Sequence, residues 1–216
     1  MMQIVERTSE SLANKARRKT EELILNGSLV AGSKITERDL AERLGMSRAP
    51  VREAIRELVS VGLLEQISAR QIVVRQLELS EVKEIFEIRG MLEARAASLA
   101  SVLITTEQYK ALEELHLRMK TTAANNDFAD YFKQNISFHK LIHEIAAAPR
   151  LAALIDQVMR ESLLFRSRGL VDEANIRSSI AEHEQLLKAL RVGDRELAGL
   201  LMSRHIQGGF NRLELI

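Results

Sequence analysis

Three arginines recur at every fourth position in the first third of the chain, and this spacing suggests one helix face that binds anions or hydrogen-bond acceptors. Arg48, Arg52 and Arg56 lie among helix-forming residues, roughly a quarter turn from the apolar positions Val51 and Ile55. A guanidinium donates two hydrogen bonds to a guanine in the major groove and also pairs with phosphate. The arginine stripe therefore predicts a DNA-recognition helix, although an ordinary solvated helix face shows the same pattern.

Three of the five histidines form a second candidate site. His139, His183 and His205 each fall in register with apolar residues of a different predicted helix, so we expect their imidazoles in a helical core. A buried polar group without a partner costs about 1–3 kcal/mol. One divalent cation could serve all three, because neutral imidazole is a common metal ligand. The alternative is that each ring hydrogen-bonds a nearby carbonyl or carboxylate, since ligands on separate helices have no diagnostic spacing. Of the other two histidines, His116 is expected at the surface, and His143 could form a local pair with His139, one turn earlier.

The composition limits what these residues can belong to. The chain has 216 residues, of which 46% are hydrophobic and 28% charged, so we expect two compact domains with real cores. It has no cysteine, which excludes disulfides, thiolate metal sites and cysteine nucleophiles. The first residues do not resemble a signal peptide, and no long uncharged apolar run occurs. We therefore expect a cytoplasmic protein that does not enter a membrane.

The elements that carry the arginines form a small N-terminal domain, predicted over residues 1–76. A first helix is expected over 12–25, and a second short helix ends at Gly45. Ser47 can cap the third helix, which carries the arginine stripe. Two β-type segments between residues 63 and 74 follow it. The order of three helices and two strands predicts a winged helix-turn-helix.

The histidines fall in a second domain, predicted over residues 77–216. Its apolar residues recur at intervals of three and four positions, as in helices with one buried face. This pattern favours an antiparallel all-α bundle of about six helices. The breaks between these helices are expected near 105–106, 125–126, Pro149, 171–175 and 193–194. The fold class is thus mostly α, with a winged helix-turn-helix in front of a helical bundle.

Residues 37–65, ERDLAERLGMSRAPVREAIRELVSVGLLE, resemble the winged helix-turn-helix of the GntR family of bacterial regulators. The resemblance implies binding to double-stranded operator DNA. By the same resemblance, the DNA-contacting residues are Arg38, Ser47, Arg48, Arg52 and Arg70. Ala49 stands where the family usually has Thr, and Gln71 where its wing commonly has Gly, so contacts at these two positions depart from the family's pattern.

The later helices are similar to the FCD sensor domain of the FadR subfamily of GntR regulators. That domain binds a metal through a D-x-x-x-H segment and two further histidines. The resemblance implies a divalent cation, zinc or nickel, held by Asn135, His139, His183 and His205. Asn135 occupies the family's aspartate position. Since an amide oxygen carries no charge, the cation should bind less tightly and keep more positive charge to offer an anion.

Arg89 is an unusual residue for its position. It lies in register with Val82, Ile85 and Leu92, so its guanidinium faces the predicted core and must be paired there. One explanation is an ion pair with Glu93, one turn further on. The other, implied by the resemblance, is that Arg89 binds the carboxylate of an effector. The sequence leaves both open.

These observations predict a ligand-responsive transcription regulator, a metabolite-controlled repressor that binds a metal and a small organic acid. We expect a homodimer, because one recognition helix reads few base pairs and such proteins bind two-fold operators. An alternative is a metal-dependent hydrolase with a DNA-binding appendage, since three histidines with an open position also describe catalytic zinc. Against an enzyme, the sequence has no nucleophile elbow and no glycine-rich phosphate loop. A third possibility is that the histidines are structural.

Overall fold

A computed structural model describes residues 10–25, 27–166 and 173–214, which are mostly helical. The chain divides into two compact units, one ending at Leu77 and one beginning at Glu78. The small sheet lies in the N-terminal unit, and the rest of the described chain is helical. The predicted mostly α fold class is confirmed.

The first unit contains three helices and three short strands among its described residues. In chain order they are α1 (Leu12–Leu25), β1 (Lys34–Ile35), α2 (Glu37–Leu44), α3 (Arg48–Ser60), β2 (Leu64–Ser68) and β3 (Gln71–Val74). The Thr36 side chain starts α2 by accepting a hydrogen bond from the Asp39 backbone N–H at 3.1 Å. Gly45 ends α2 at a φ of 63°, which a residue without Cβ adopts at little cost. The tight turn between α2 and α3 follows from this glycine.

The sheet of the first unit is antiparallel, in the order β1-β3-β2. The β2–β3 hairpin is the predicted wing, with Leu64 opposite Val74. Strand β1 is not predicted from the sequence, because its two residues are too few to show alternation. Helix α3 buries its apolar face against this unit's core, and that packing directs its arginines outward.

The described part of the second unit consists of six helices, as predicted. They are α4 (Leu79–Leu103), α5 (Thr106–Ala124), α6 (Phe128–Ile145), α7 (Pro149–Arg166), α8 (Glu173–Val192) and α9 (Arg195–Glu214). The helices begin and end close to the breaks predicted near 105–106, 125–126, Pro149 and 193–194. Of the break predicted over 171–175, residues 171–172 lie outside the described residues, and residues 173–175 belong to α8. Helix α4 has 25 residues and starts with a reciprocal capping box between Glu78 and Glu81.

Helix α4 packs against α6, α8 and α9, and α5 packs against α6 and α8. The α4–α9 contact is close because of Gly199, where an added Cβ would lie 3.2 Å from the Ala94 carbonyl oxygen. This packing places the facing sides of α4, α6, α8 and α9 around one core. No helix within the described ranges is long and apolar enough to cross a membrane.

Candidate functional site

The arginine stripe of α3 is exposed as predicted. Arg48, Arg52 and Arg56 are all exposed, whereas Val51 is fully buried and Ile55 is 3% exposed. The buried face fixes the rotation of the helix, so the guanidinium groups project into solvent on one side. This arrangement can enter a major groove without repacking of the core.

Arg52 has a partner that the sequence did not indicate. Its Nε and Nη2 donate to the two carboxylate oxygens of Glu37 on α2, at 2.7 and 2.9 Å. The hydrogen bond from Arg52 lowers the pKa of Glu37. Because the Arg52 side chain remains 52% exposed, the pair orients the guanidinium without removing it from the surface. Glu37 is fifteen residues away, so no local pattern could reveal this pair.

The other predicted DNA contacts are also exposed. Arg38 lies on α2, and Arg70 lies in the two-residue turn between β2 and β3. Ser47 is the N-terminal cap residue of α3, but its side chain makes no capping hydrogen bond. Its hydroxyl and the first N–H groups of α3 are therefore suited to a phosphate oxygen.

The three predicted histidine ligands converge in the core of the second unit. His139 on α6, His183 on α8 and His205 on α9 are at most 6% exposed. The Nε2 atom of His205 lies 3.2 Å from Nε2 of His139 and 3.1 Å from Nε2 of His183. The ligand atoms of all three lie within 4.8 Å of one another. Helices distant in sequence thus bring three ring nitrogens to one point.

Two carboxylates fix which nitrogen His139 and His205 offer. The Nδ1–H of His139 donates to Glu93 Oε2 at 2.6 Å, and the Nδ1–H of His205 donates to Glu182 Oε2 at 2.7 Å. An ionised carboxylate can only accept, so Nδ1 carries the proton and Nε2 carries a lone pair. Carboxylates commonly orient metal-binding histidines in this way.

Burial keeps these imidazoles neutral. It lowers the pKa of His139 to about 4, lowers that of His183 well below its ordinary value, and lowers that of His205 as well. The Nε2 lone pairs of His139 and His205 therefore face each other at 3.2 Å with no proton between them near neutral pH. A cation at this point would remove that repulsion.

The side chain of Asn135 also suits a metal site. It lies one turn before His139 on α6 and is 5% exposed, and its side-chain oxygen has no hydrogen-bond partner among the described residues. A buried amide oxygen without a partner is unfavourable, and it is a competent metal donor. Three imidazole nitrogens and one amide oxygen fit a divalent cation such as zinc or nickel.

Arg89 lies in the same core and is already paired. Its Nε lies 2.5 Å from Glu93 Oε1, and its Nη1 donates to Ser162 Oγ at 3.4 Å. Burial by itself would raise the pKa of Glu93, but the charge of Arg89 and the hydrogen bond from His139 hold it well below the usual range. Of the two explanations for Arg89, the ion pair is present in the structure.

The environments of the two remaining histidines differ from those predicted from the sequence. His116, expected at the surface, is 7% exposed and packs edge-on against His183 at a ring distance of 6.5 Å. That expectation was wrong, because the face of α5 that carries His116 is covered by α8. His143 Nε2 lies 3.2 Å from Glu93 Oε2, so its polar partner is a carboxylate on α4.

Comparison with known proteins now identifies the family. Residues 84–208 match the FCD domain, and residues 12–74 match the bacterial regulatory proteins of the gntR family. The chain belongs to the GntR family. It is a transcription regulator with a GntR helix-turn-helix and an FCD domain, as the sequence resemblance implied.

Individual GntR relatives span most of the chain. Escherichia coli (strain K12) McbR, an HTH-type transcriptional regulator, is 31% identical over 173 residues, covering 79% of this chain and 78% of McbR. A protein of Paenarthrobacter nicotinovorans, named "Probable D-xylose utilization operon transcriptional repressor", is 32% identical over 190 residues, covering 85% of this chain and 80% of its own.

Solved structures agree with this family. The structure of E. coli McbR/YncC matches with a TM-score of 0.85 and 27% identity, covering 95% of this chain and 98% of that one. A GntR regulator from Rhodococcus sp. RHA1 matches with a TM-score of 0.76 at 19% identity, covering 94% and 97%, and shows the fold alone. These relatives are transcription regulators rather than enzymes, so the hydrolase alternative receives no support.

Proposed function

We propose that this GntR regulator is a metabolite-controlled repressor of the FadR subfamily, whose FCD domain binds a divalent cation and a small organic acid. The observation that supports the metal is the meeting of three Nε2 atoms in a buried core, where His205 lies 3.2 Å from His139 and 3.1 Å from His183. A regulator with no use for a cation would gain stability by replacing these imidazoles with apolar side chains.

The metal ligands in this proposal are Asn135, His139, His183 and His205. When bound, the cation offers a Lewis-acid position that an anionic oxygen can occupy. Glu93 and Glu182 orient two of the imidazoles through their Nδ1–H groups. The burial of the cluster excludes competing water, which strengthens the attraction between the cation and an anion.

The effector in this proposal is a small carboxylate, and Arg89 is a residue that favours an anion in the same core. Its guanidinium uses Nε on Glu93 and Nη1 on Ser162. Five N–H groups are available on a guanidinium, so Arg89 can donate to an effector while it keeps Glu93.

DNA binding is assigned to residues 1–76, and effector binding to residues 77–216. Arg38, Ser47, Arg48, Arg52 and Arg70 contact the operator in this proposal. The repressor acts as a homodimer on a two-fold site. The effector then regulates DNA binding if it prefers one arrangement of the two winged helices over the other.

Metal analysis and calorimetry test this function. Gently purified protein should contain about one zinc or nickel ion per chain, as expected of one tetrahedral site. The His183→Ala variant should lose more than about tenfold in zinc affinity. The Lys188→Ala variant, changed at an exposed position on the same helix, should bind zinc like the wild type. Equal zinc affinity in all three proteins would overturn the metal site.

A further inference from the structure

The donors of the candidate metal centre contribute no negative charge. Three are imidazoles, which must be neutral to coordinate, and the fourth is the amide of Asn135. A divalent cation bound there would keep its full charge of +2 in a core where all four donor residues are at most 6% exposed. Some other group must balance that charge.

The nearby carboxylates do not balance it, because cations already neutralise them. Glu93 pairs with Arg89 at 2.5 Å, and both side chains are at most 3% exposed. Glu182 pairs with Arg212 through two hydrogen bonds of 2.7 and 3.1 Å. Each carboxylate–arginine pair has a net charge of zero, so neither one offsets a cation bound by the histidines.

We propose that the ligand of this site is a doubly charged organic acid, a dicarboxylate, and that Asn135 selects for the second charge. This inference rests on the metal site of the proposed function and names the class of its effector. A dianion neutralises the buried cation completely, whereas a monoanion leaves one positive charge in the core. With aspartate at position 135 the protein itself would supply one negative charge, and a monoanion would suffice.

The core also contains N–H groups for a second carboxylate. When His183 coordinates through Nε2, its Nδ1 carries a proton, and Nδ1 has no partner among the described residues. Neither ring nitrogen of the buried His116 has a partner in the described part of the chain. Buried donors without acceptors are unfavourable, so a ligand with several anionic oxygens suits this core better than an apolar one.

The test compares each dicarboxylate with its own monoamide, which has nearly the same shape and one charge less. Malonate, succinate and glutarate, with their three monoamides, are titrated by calorimetry into zinc-loaded protein at constant ionic strength. The proteins are the wild type, Asn135→Asp and Asn125→Asp. Asn125 is exposed at the end of α5, so the last variant adds the same charge on the surface.

We expect zinc-loaded wild type to bind at least one dicarboxylate more than about tenfold tighter than its monoamide, because a second unit charge acts at short range in a poorly solvated core. Asn135→Asp should reduce that ratio to near one and bind zinc more tightly without any acid. Asn125→Asp should behave like the wild type. Calorimetry of zinc alone also reports on Asn135 independently of DNA binding.

The possible failures are distinguishable. The same dicarboxylate-to-monoamide ratio in wild type and Asn135→Asp would overturn the charge selection while leaving the metal site in place. Failure of all three dicarboxylates to bind zinc-loaded wild type would also overturn the charge selection and leave the metal site in place. If the wild type does not bind zinc at all, the metal site of the proposed function is overturned, and this inference falls with it.

Discussion

Two arginine–glutamate pairs, one in each unit, are similarly close but differ in burial and in the number of hydrogen bonds that join them. Arg89 Nε lies 2.5 Å from Glu93 Oε1, with at most 3% of either side chain exposed. Arg52 Nε lies 2.7 Å from Glu37 Oε1, with 52% and 35% exposed. Water screens the exposed pair, so it can exchange partners at little cost. A buried charge that loses its partner destabilises the fold strongly. The exposed pair is therefore suited to recognising a ligand, and the buried pair to holding side chains in position.

The largest expected effect comes from breaking the buried pair. Glu93→Ala should lower the free energy of unfolding by about 3–5 kcal/mol, because the charge of Arg89 would stay buried without a carboxylate to neutralise it. Urea denaturation followed by circular dichroism measures this. The double variant Arg89→Met/Glu93→Leu, which removes both charges, should recover much of the loss. A Glu93→Ala protein as stable as the wild type would show that burial does not distinguish the two pairs.

The second-largest effect is expected on acidification, which should lower the free energy of unfolding through the buried histidines. The folded pKa of His139 is about 4, below its unfolded value of about 6.5. The unfolded chain therefore binds more protons as the pH falls, so His139 stabilises the fold above pH 6.5 and loses this contribution below it. For His139 alone the expected loss is about 2 kcal/mol between pH 6.5 and 5.

Denaturation of chelator-treated protein at several pH values measures this dependence, since a bound metal would compete with protons. The His139→Asn variant should lose less stability over the same range. A stability that is flat from pH 7 to 5 in wild type would contradict the neutral, buried state of these rings.

In the exposed pair, Arg52→Ala should lower operator affinity by about tenfold to a hundredfold, the usual value of one bidentate base contact. The circular dichroism spectrum should not change, because Arg52 is not part of the core. Binding is measured by fluorescence anisotropy at physiological salt, with Arg18→Ala as a surface control on α1. Wild-type affinity in Arg52→Ala would remove the assigned role of α3.

The smallest effect on stability is expected for Glu37→Ala, which breaks the exposed pair. Its urea midpoint should match that of the wild type within error, because Arg52 regains water when it loses Glu37. The same measurement on Glu93→Ala makes the comparison direct. A midpoint shift as large as that of Glu93→Ala would mean that the surface pair also supports the fold.

Helical periodicity was sufficient to predict much of the architecture, the exposed arginine stripe and the burial of three histidines. Apolar positions every three or four residues fix which face of α3 is buried, and so direct Arg48 and Arg52 outward. The same rule placed His139, His183 and His205 in the core. His116 was misplaced although it lies in register with Leu112 and Met119, which are buried on the same face of α5.

The amino-acid sequence by itself determined the helices, their breaks, the arginine stripe and the residues that could bind a metal, since these depend on contacts between near neighbours. Only the tertiary structure decided which groups meet: Glu37 with Arg52, Glu93 with His139, and Glu182 with His205. Such pairs join residues from 15 to 46 positions apart, on different helices. Their distances depend on how whole helices pack, which no local pattern encodes.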